Sequence, residues 1–383
     1  MEATERHKDS PIVNYERETD QGQEVYVATQ WQLIWWRFRR HKLAMVSGVV
    51  IVLFYIVALL GEFIAPSVPA KYDVKYNYAP PQRLHFVSEE GFSLRPFVYG
   101  YKREIDKETL RRVYVPDESQ RYPVYFLVRG EAYRLWGLWE TDLHLFGLED
   151  PSAPFFLFGA DRMGRDLLTR IIYGTRVSMS IGLIGVVMSF VLGVLIGGVS
   201  GYYGGLVDNV IQRGIEFIRS IPTIPLWMAL SAALPPHWPP LRVYFGITII
   251  LSLIGWTGLA RVVRSKFLSL REEDFVIAAR LDGCSELRII LRHMIPSFTS
   301  HMIAAMTLRI PDMILAETSL SFLGLGLRSP VVSWGVLLQD AQNVRTVAHS
   351  PWLLLPGAAV VLTVLAFNFL GDGLRDAADP YAR

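Results

Sequence analysis

Residues 177–207 are thirty-one consecutive positions without Asp, Glu, Lys or Arg. A helix needs roughly 20 mainly apolar residues to cross the hydrocarbon core of a bilayer, and helices of soluble proteins seldom run that far without charge. Three more stretches are charge-free at spanning length: 43–61, 243–260 and 350–371. Two further segments complete the count. One, 209–234, is interrupted by Pro222 and Pro225; the other, 294–318, carries Arg309, Asp312 and Glu317. The expected fold is an all-α polytopic membrane protein with six transmembrane helices. Composition agrees, since only 19% of residues are charged against about 25% in a typical soluble domain.

Basic residues near span ends set orientation. Arg37, Arg39, Arg40 and Lys42 precede the first span, and no acid occurs from 31 to 61. This places the N-terminus in the cytoplasm, and six crossings return the C-terminus there. The segment 261–292 then lies inside with seven Lys or Arg, whereas 235–242 holds Arg242 alone. Arg162, Arg165, Arg170 and Arg176 run against the pattern on the expected outer side, but they close a loop of over a hundred residues, and long loops translocate largely regardless of charge. The polar stretch 1–20 lacks a short apolar core with a cleavage site, so the first span is expected to be a retained anchor.

The chain divides into a cytoplasmic tail (1–42), a first transmembrane helix (43–66), an extracytoplasmic insert (67–155) and a core (156–383) with five further helices and a cytoplasmic loop (261–292). The insert holds 12 Lys or Arg and 13 Asp or Glu. Its runs of aromatic and β-branched residues at 122–128 and 133–139 predict strands in a small, mainly β unit. Tyr133, Trp136, Trp139 and Phe146 either form its core or contact a sugar, a peptide or a docking protein. Residues 165–173 predict a short amphipathic helix at the outer interface.

Several function classes are disfavoured. A net charge of +2 gives no basic field for nucleic acid. A single cysteine, Cys284, allows no intrachain disulfide and no thiol metal cluster. No Gly-x-x-x-x-Gly-Lys-Ser/Thr phosphate loop occurs, and the polar residues in the spans pair no nucleophile with a base, so no catalytic or metal-ligating residues are expected. A self-contained secondary transporter or channel is the alternative class; the inverted repeats and paired broken helices frequent there are not evident.

The loop after the fourth span is the most informative segment. It reads as a short amphipathic helix, paired alanines at 278 and 279, a turn at Gly283 and a second helix, with Pro296 opening the next span. The alanines leave room for another protein's surface, Gly283 permits a positive φ, and Pro296 suits a first helical turn. This loop resembles the EAA motif of ABC-importer permeases: Ala278 and Ala279, three residues, Gly283, then Pro296 keep its spacing, while Ile277 stands at its Glu position and His293 at its Ile position. The segments 36–44 (Trp-Arg-Phe-Arg-Arg-His-Lys-Leu-Ala), 159–166 (Gly-Ala-Asp-Arg-Met-Gly-Arg-Asp), 320–326 (Leu-Ser-Phe-Leu-Gly-Leu-Gly), 333–335 (Ser-Trp-Gly), 371–376 (Gly-Asp-Gly-Leu-Arg-Asp) and 379–380 (Asp-Pro) are similar to the oligopeptide/dipeptide branch of that family.

The resemblance implies the type I importer permease fold and a subunit that pairs with a second, homologous permease. It also implies two ABC ATPase subunits, which bind ATP and Mg while this chain binds no cofactor. An extracytoplasmic binding protein would deliver a peptide or related solute, such as an oligosaccharide, across a bacterial or archaeal inner membrane. Ile277, Ala278, Ala279, Arg280, Gly283 and Pro296 would couple to the ATPase. Arg309 and Asp312, one turn apart, either pair with each other or line the solute path, and Glu317 is a candidate gate.

Overall fold

The computed structural model describes residues 30–88, 91–105, 107, 112–235 and 237–378; the Asp379-Pro380 motif and most of the N-terminal tail lie outside them. Helix α1 (Gln30–Arg40) leads into α2 (Lys42–Leu59). The core then runs α3 (Leu167–Tyr203), α4 (Gly205–Ser220), α5 (Thr223–Ala232), α6 (Pro240–Leu270), α7 (Asp274–Leu281), α8 (Thr299–Thr307), α9 (Ile310–Phe322), α10 (Trp334–Leu338) and α11 (Leu355–Ala378).

Among the described residues, four helical segments are long and apolar enough to cross a bilayer: Lys42–Leu59, Leu167–Tyr203, Pro240–Leu270 and Pro351–Ala378. The other two expected spans are each in pieces. Segment 209–234 breaks at Ile221 and Pro222 between α4 and α5, because Pro222 and Pro225 remove amide donors from the ladder. Segment 294–318 breaks at Leu308 and Arg309 between α8 and α9, with Pro311 in the first turn of α9. Residues 165–173 do not form a separate interfacial helix. Asp166 caps α3 by accepting the Thr169 amide at 2.7 Å, and the helix runs on without interruption for 37 residues.

The centre of the bundle is the α3–α6 pair, and glycine sets its distance. A Cβ on Gly197 would stand 2.4 Å from the Ala260 carbonyl oxygen, and one on Gly201 2.6 Å from that of Arg264. With Gly193 against Leu259, these four-residue spacings put one small-residue face on α3 and let the backbones meet. Without a hydrophobic drive between helices in lipid, such close packing is what holds them. The outward face of α2 instead leaves Val46, Val49, Val52 and Leu53 exposed.

The insert folds as an antiparallel sheet in the order β1 (His85–Ser88), β2 (Gly91–Ile105), β3 (Arg112–Leu135), β4 (Trp139–Leu148). Val98, Val124 and Leu148 form its buried centre. Run 122–128 lies inside β3 as expected, but 133–139 is not one strand. It contains the end of β3, a turn at 136–138 and the first residue of β4, with Leu135 paired to Trp139. The expected aromatic core divides: Tyr133 is buried and Phe146 packs against the centre, whereas Trp136 and Trp139 are exposed.

The four arginines that opposed the charge pattern each meet a carboxylate. Arg162 pairs with Asp340 at 3.4 Å and Arg165 with Asp161 at 2.7 Å. Arg170 also pairs with Asp161, and Arg176 forks onto Glu62. Asp161 further accepts the amides of Met163 and Arg165, so the 159–166 motif is a turn organised around one carboxylate.

Candidate functional site

The loop after α6 is a rigid two-faced knob. Val276 and Ala279 are buried against Val263, Phe267, Ile289, Met294 and Phe298 of the bundle. Opposite them, Ile277, Ala278, Arg280 and Leu281 are exposed, Leu281 by 84%. The adjacent alanines are therefore divided: Ala279 seats the helix on its own bundle, and Ala278 faces outward.

Gly283, at φ +73°, ends α7 in a Schellman motif: its amide donates to the Arg280 carbonyl at 3.0 Å, and that of Cys284 to Ala279 at 3.1 Å. Both bonds satisfy carbonyls that a helix end would otherwise leave open. Pro296 stands apart from the knob, exposed in the single turn Ile295–Ser297. The backbone just before it widens to a π-helix over Ile289–Met294.

Polar contacts fasten this knob to the end of α3. The Arg280 guanidinium lies 5.3 Å from the ring centre of Tyr202, and the Tyr203 hydroxyl donates to Glu286 at 2.9 Å. Arg264 forks onto Asp208, which also accepts from Ser200 at 2.5 Å. None of these partners announces itself in sequence, because Ser200, Asp208 and Arg264 come from three different helices.

A cavity of about 500 Å³ opens among α3, α4, α5, α6, α8 and α9. Arg309 and Asp312 both line it, and they also pair with each other, with Nη1 to Oδ2 at 3.9 Å. Of the two alternatives left by sequence, the mutual pairing is present, and the pair sits in the wall of this cavity. Trp227, which the sequence did not single out, lines the same cavity, and its indole N–H has no hydrogen-bond partner among the described residues. The proline-rich flank of α5 was the visible signal; that its tryptophan turns inward depends on packing.

Glu317 does not line this cavity. It is fully buried, and its Oε1 accepts the hydroxyls of Ser321 and Ser333 at 2.7 Å each, with Ser178 reaching Oε2 at 3.4 Å. Ser178 accepts the Trp334 amide, Ser321 that of Leu327 and Ser333 that of Val336. One carboxylate therefore joins α3, α9 and α10 by way of the serines in the 320–326 and 333–335 motifs. A buried acid so surrounded is a strut, since removing the shared acceptor would leave three buried hydroxyls without a partner.

Residues 189–383 match the family described as binding-protein-dependent transport system inner membrane component, and residues 29–81 match the N-terminal TM domain of oligopeptide transport permease C. The chain is 38% identical over 235 residues to a dipeptide transport system permease protein of Bacillus subtilis, covering 61% of this chain and 71% of that protein. It is 39% identical to an oligopeptide transport system permease protein of Haemophilus influenzae, covering 64% and 76%. A solved structure of the inward-facing methionine ABC transporter MetNI aligns at 17% identity and a TM-score of 0.42, over 56% of this chain and 98% of that one. With four long apolar helices behind these matches, the chain belongs to the binding-protein-dependent transport system inner membrane components, as the membrane-embedded permease subunit of an ABC importer rather than an enzyme.

Proposed function

We propose that this permease moves peptides, with its N- and C-termini and the α7 knob in the cytoplasm and the sheet outside. On this reading the type I importer fold crosses six times. Four crossings are the continuous helices, and two are the broken segments α4–α5 and α8–α9, whose interruptions adjoin the cavity-lining residues Arg219, Thr223 and Arg309; a broken helix is tolerated at membrane depth beside such a cavity. A second, homologous permease completes the pathway, and an extracytoplasmic binding protein delivers the solute. Two ATPase subunits bind ATP and Mg and grip one knob each.

The observation that carries the coupling role is the division of α7. Ile277, Ala278 and Leu281 face outward from a helix whose other face is locked in the bundle. A push on the exposed side is transmitted as a rigid movement of α6 and the π-helical segment, since packed interiors deform little. Arg280 and Gly283 hold the knob's orientation, and Pro296 marks where it joins the next helix. A peptide suits the cavity because Arg309 and Asp312 offer one charge for each terminus; 500 Å³ lies within the usual range for small-ligand sites. Glu317 supports the wall and is no gate on this reading.

The test is peptide uptake by the complete complex in proteoliposomes carrying Ala278→Trp. A bulky ring on the outward face should reduce ATP-driven uptake at least tenfold while the chain still inserts. Unchanged uptake, or uptake by this chain without its ATPases, would overturn the proposal.

A further inference from the structure

We infer that the β3–β4 hairpin tip, residues 136–139, is a membrane-interface anchor that seats in the headgroup layer beside the first transmembrane helix. Three observations converge on it. First, the tip is apolar and exposed: Leu138 by 72%, Trp139 by 59% and Trp136 by 44%, with the two indoles edge to face at 5.8 Å. Second, it is held at one level. The Trp136 indole donates to the Leu59 carbonyl, the last residue of α2, at 2.7 Å. That carbonyl also accepts from Arg176 at 3.1 Å, and the buried His144 ring bridges Ala65 and Glu131 carbonyls at 2.6 and 3.0 Å. Third, the tip takes a backbone that its residues do not favour, with Trp136 at φ +54° before Gly137 at φ +75°. A bulky residue persists there only where its surroundings fix it.

The level identifies the occupant. Helix α2 has 18 residues, or about 27 Å at 1.5 Å each, which nearly matches a hydrocarbon core of about 30 Å. Its first end adjoins Arg39, Arg40 and Lys42, so Leu59 stands at the opposite boundary. The exposed row Val49, Val52, Ile56 and Leu59 continues directly onto Trp136. Arg134 and Glu140, paired across the strands, end the apolar surface one step above. Indole rings at that level, apolar body inward and N–H satisfied, match the preference of tryptophan for the membrane interface. The occupant is therefore the lipid surface itself. The insert would be tethered at both its root and its tip, which fixes the sheet relative to the bilayer.

The experiment uses the complete complex in lipid nanodiscs with Cys284→Ser and one nitroxide label at a time, at Leu138→Cys, Val52→Cys and Glu118→Cys. Expected at 138 is a collision rate with oxygen above that with a nickel chelate, in the direction of the Val52 label and opposite to Glu118. A photoreactive phosphatidylcholine applied to the unmutated complex should leave adducts within 136–139. A higher nickel rate at 138, or low rates for both probes with no lipid adduct, as burial by a partner protein would give, overturns the proposal. A Val52 label that fails to report lipid removes the span reading on which the level rests, and the proposal with it.

Discussion

The guanidinium of Arg309 occupies the space that a side chain on Gly258 would take: a Cβ there would stand 2.6 Å from Nη2. The glycine on α6 thus sets where the cationic half of the Arg309–Asp312 pair sits in the cavity. Since the clashing atom is the free end of a long side chain, Gly258→Ala should leave folding nearly intact, within about 1 kcal/mol. It should displace the charge and raise the half-saturating peptide concentration severalfold. Uptake kinetics together with thermal inactivation of the purified complex check both halves of this expectation.

Glu317 is expected to behave as a strut. Glu317→Ala leaves the Ser178, Ser321 and Ser333 hydroxyls without their acceptor and should cost about 2–4 kcal/mol, lowering the inactivation temperature and the yield of assembled complex. Glu317→Gln keeps one acceptor oxygen and should recover much of that loss. Equal damage from both variants would instead assign the role to the charge.

Asp166 gives the structure a pH signature. Burial raises its carboxyl to about 6, against an ordinary 3.8. The folded state then holds a proton that the unfolded chain gives up. Its contribution to stability is complete below about pH 4 and is lost as pH rises through about 6. Asp166→Asn keeps an oxygen for the Thr169 amide and removes this dependence. The variant should therefore gain on the native protein by roughly 3 kcal/mol between pH 4 and 7, seen as a flatter plot of inactivation temperature against pH.

Gly283 has open space around its missing Cβ but sits at φ +73°, so backbone conformation alone resists substitution. Gly283→Val should strain the Schellman turn by about 1–3 kcal/mol, misplace Leu281 and lower peptide-stimulated ATP hydrolysis severalfold. Gly283→Asn, which tolerates the left-handed region better, should retain more of it. Hydrolysis measured with and without the loaded binding protein separates lost coupling from lost assembly.

Much of the fold was legible because lipid simplifies the code. Charge-free runs marked all four continuous helices, and Pro222 and Pro225 marked where another breaks, whereas the break at Leu308 and Arg309 was not read from the sequence. The ends were less visible. Helix α6 continues ten residues past the expected exit at 260, since basic residues such as Arg261 and Arg264 extend a helix as readily as they end a span. The tip at 136–138 read as strand, because Trp and Leu favour strands and a turn built on Trp136 and Gly137 has no strong sequence mark.

Resemblance to the EAA motif located the knob, yet it could not tell Ala278 from Ala279. Neighbours on a helix point about 100° apart, and which one faces the bundle depends on where Phe267 and Met294 stand. Likewise Arg309, Asp312 and Glu317 share one stretch of chain but have different surroundings: two face a cavity and one is enclosed by serines from α3, α9 and the start of α10. The sequence by itself determined membrane residence and the long helices, because these depend on local hydrophobicity, and its resemblance to the EAA motif marked the loop that forms the knob. The tertiary structure decided which face of each helix is used and which charge is paired, because those depend on side chains brought together from distant parts of the chain.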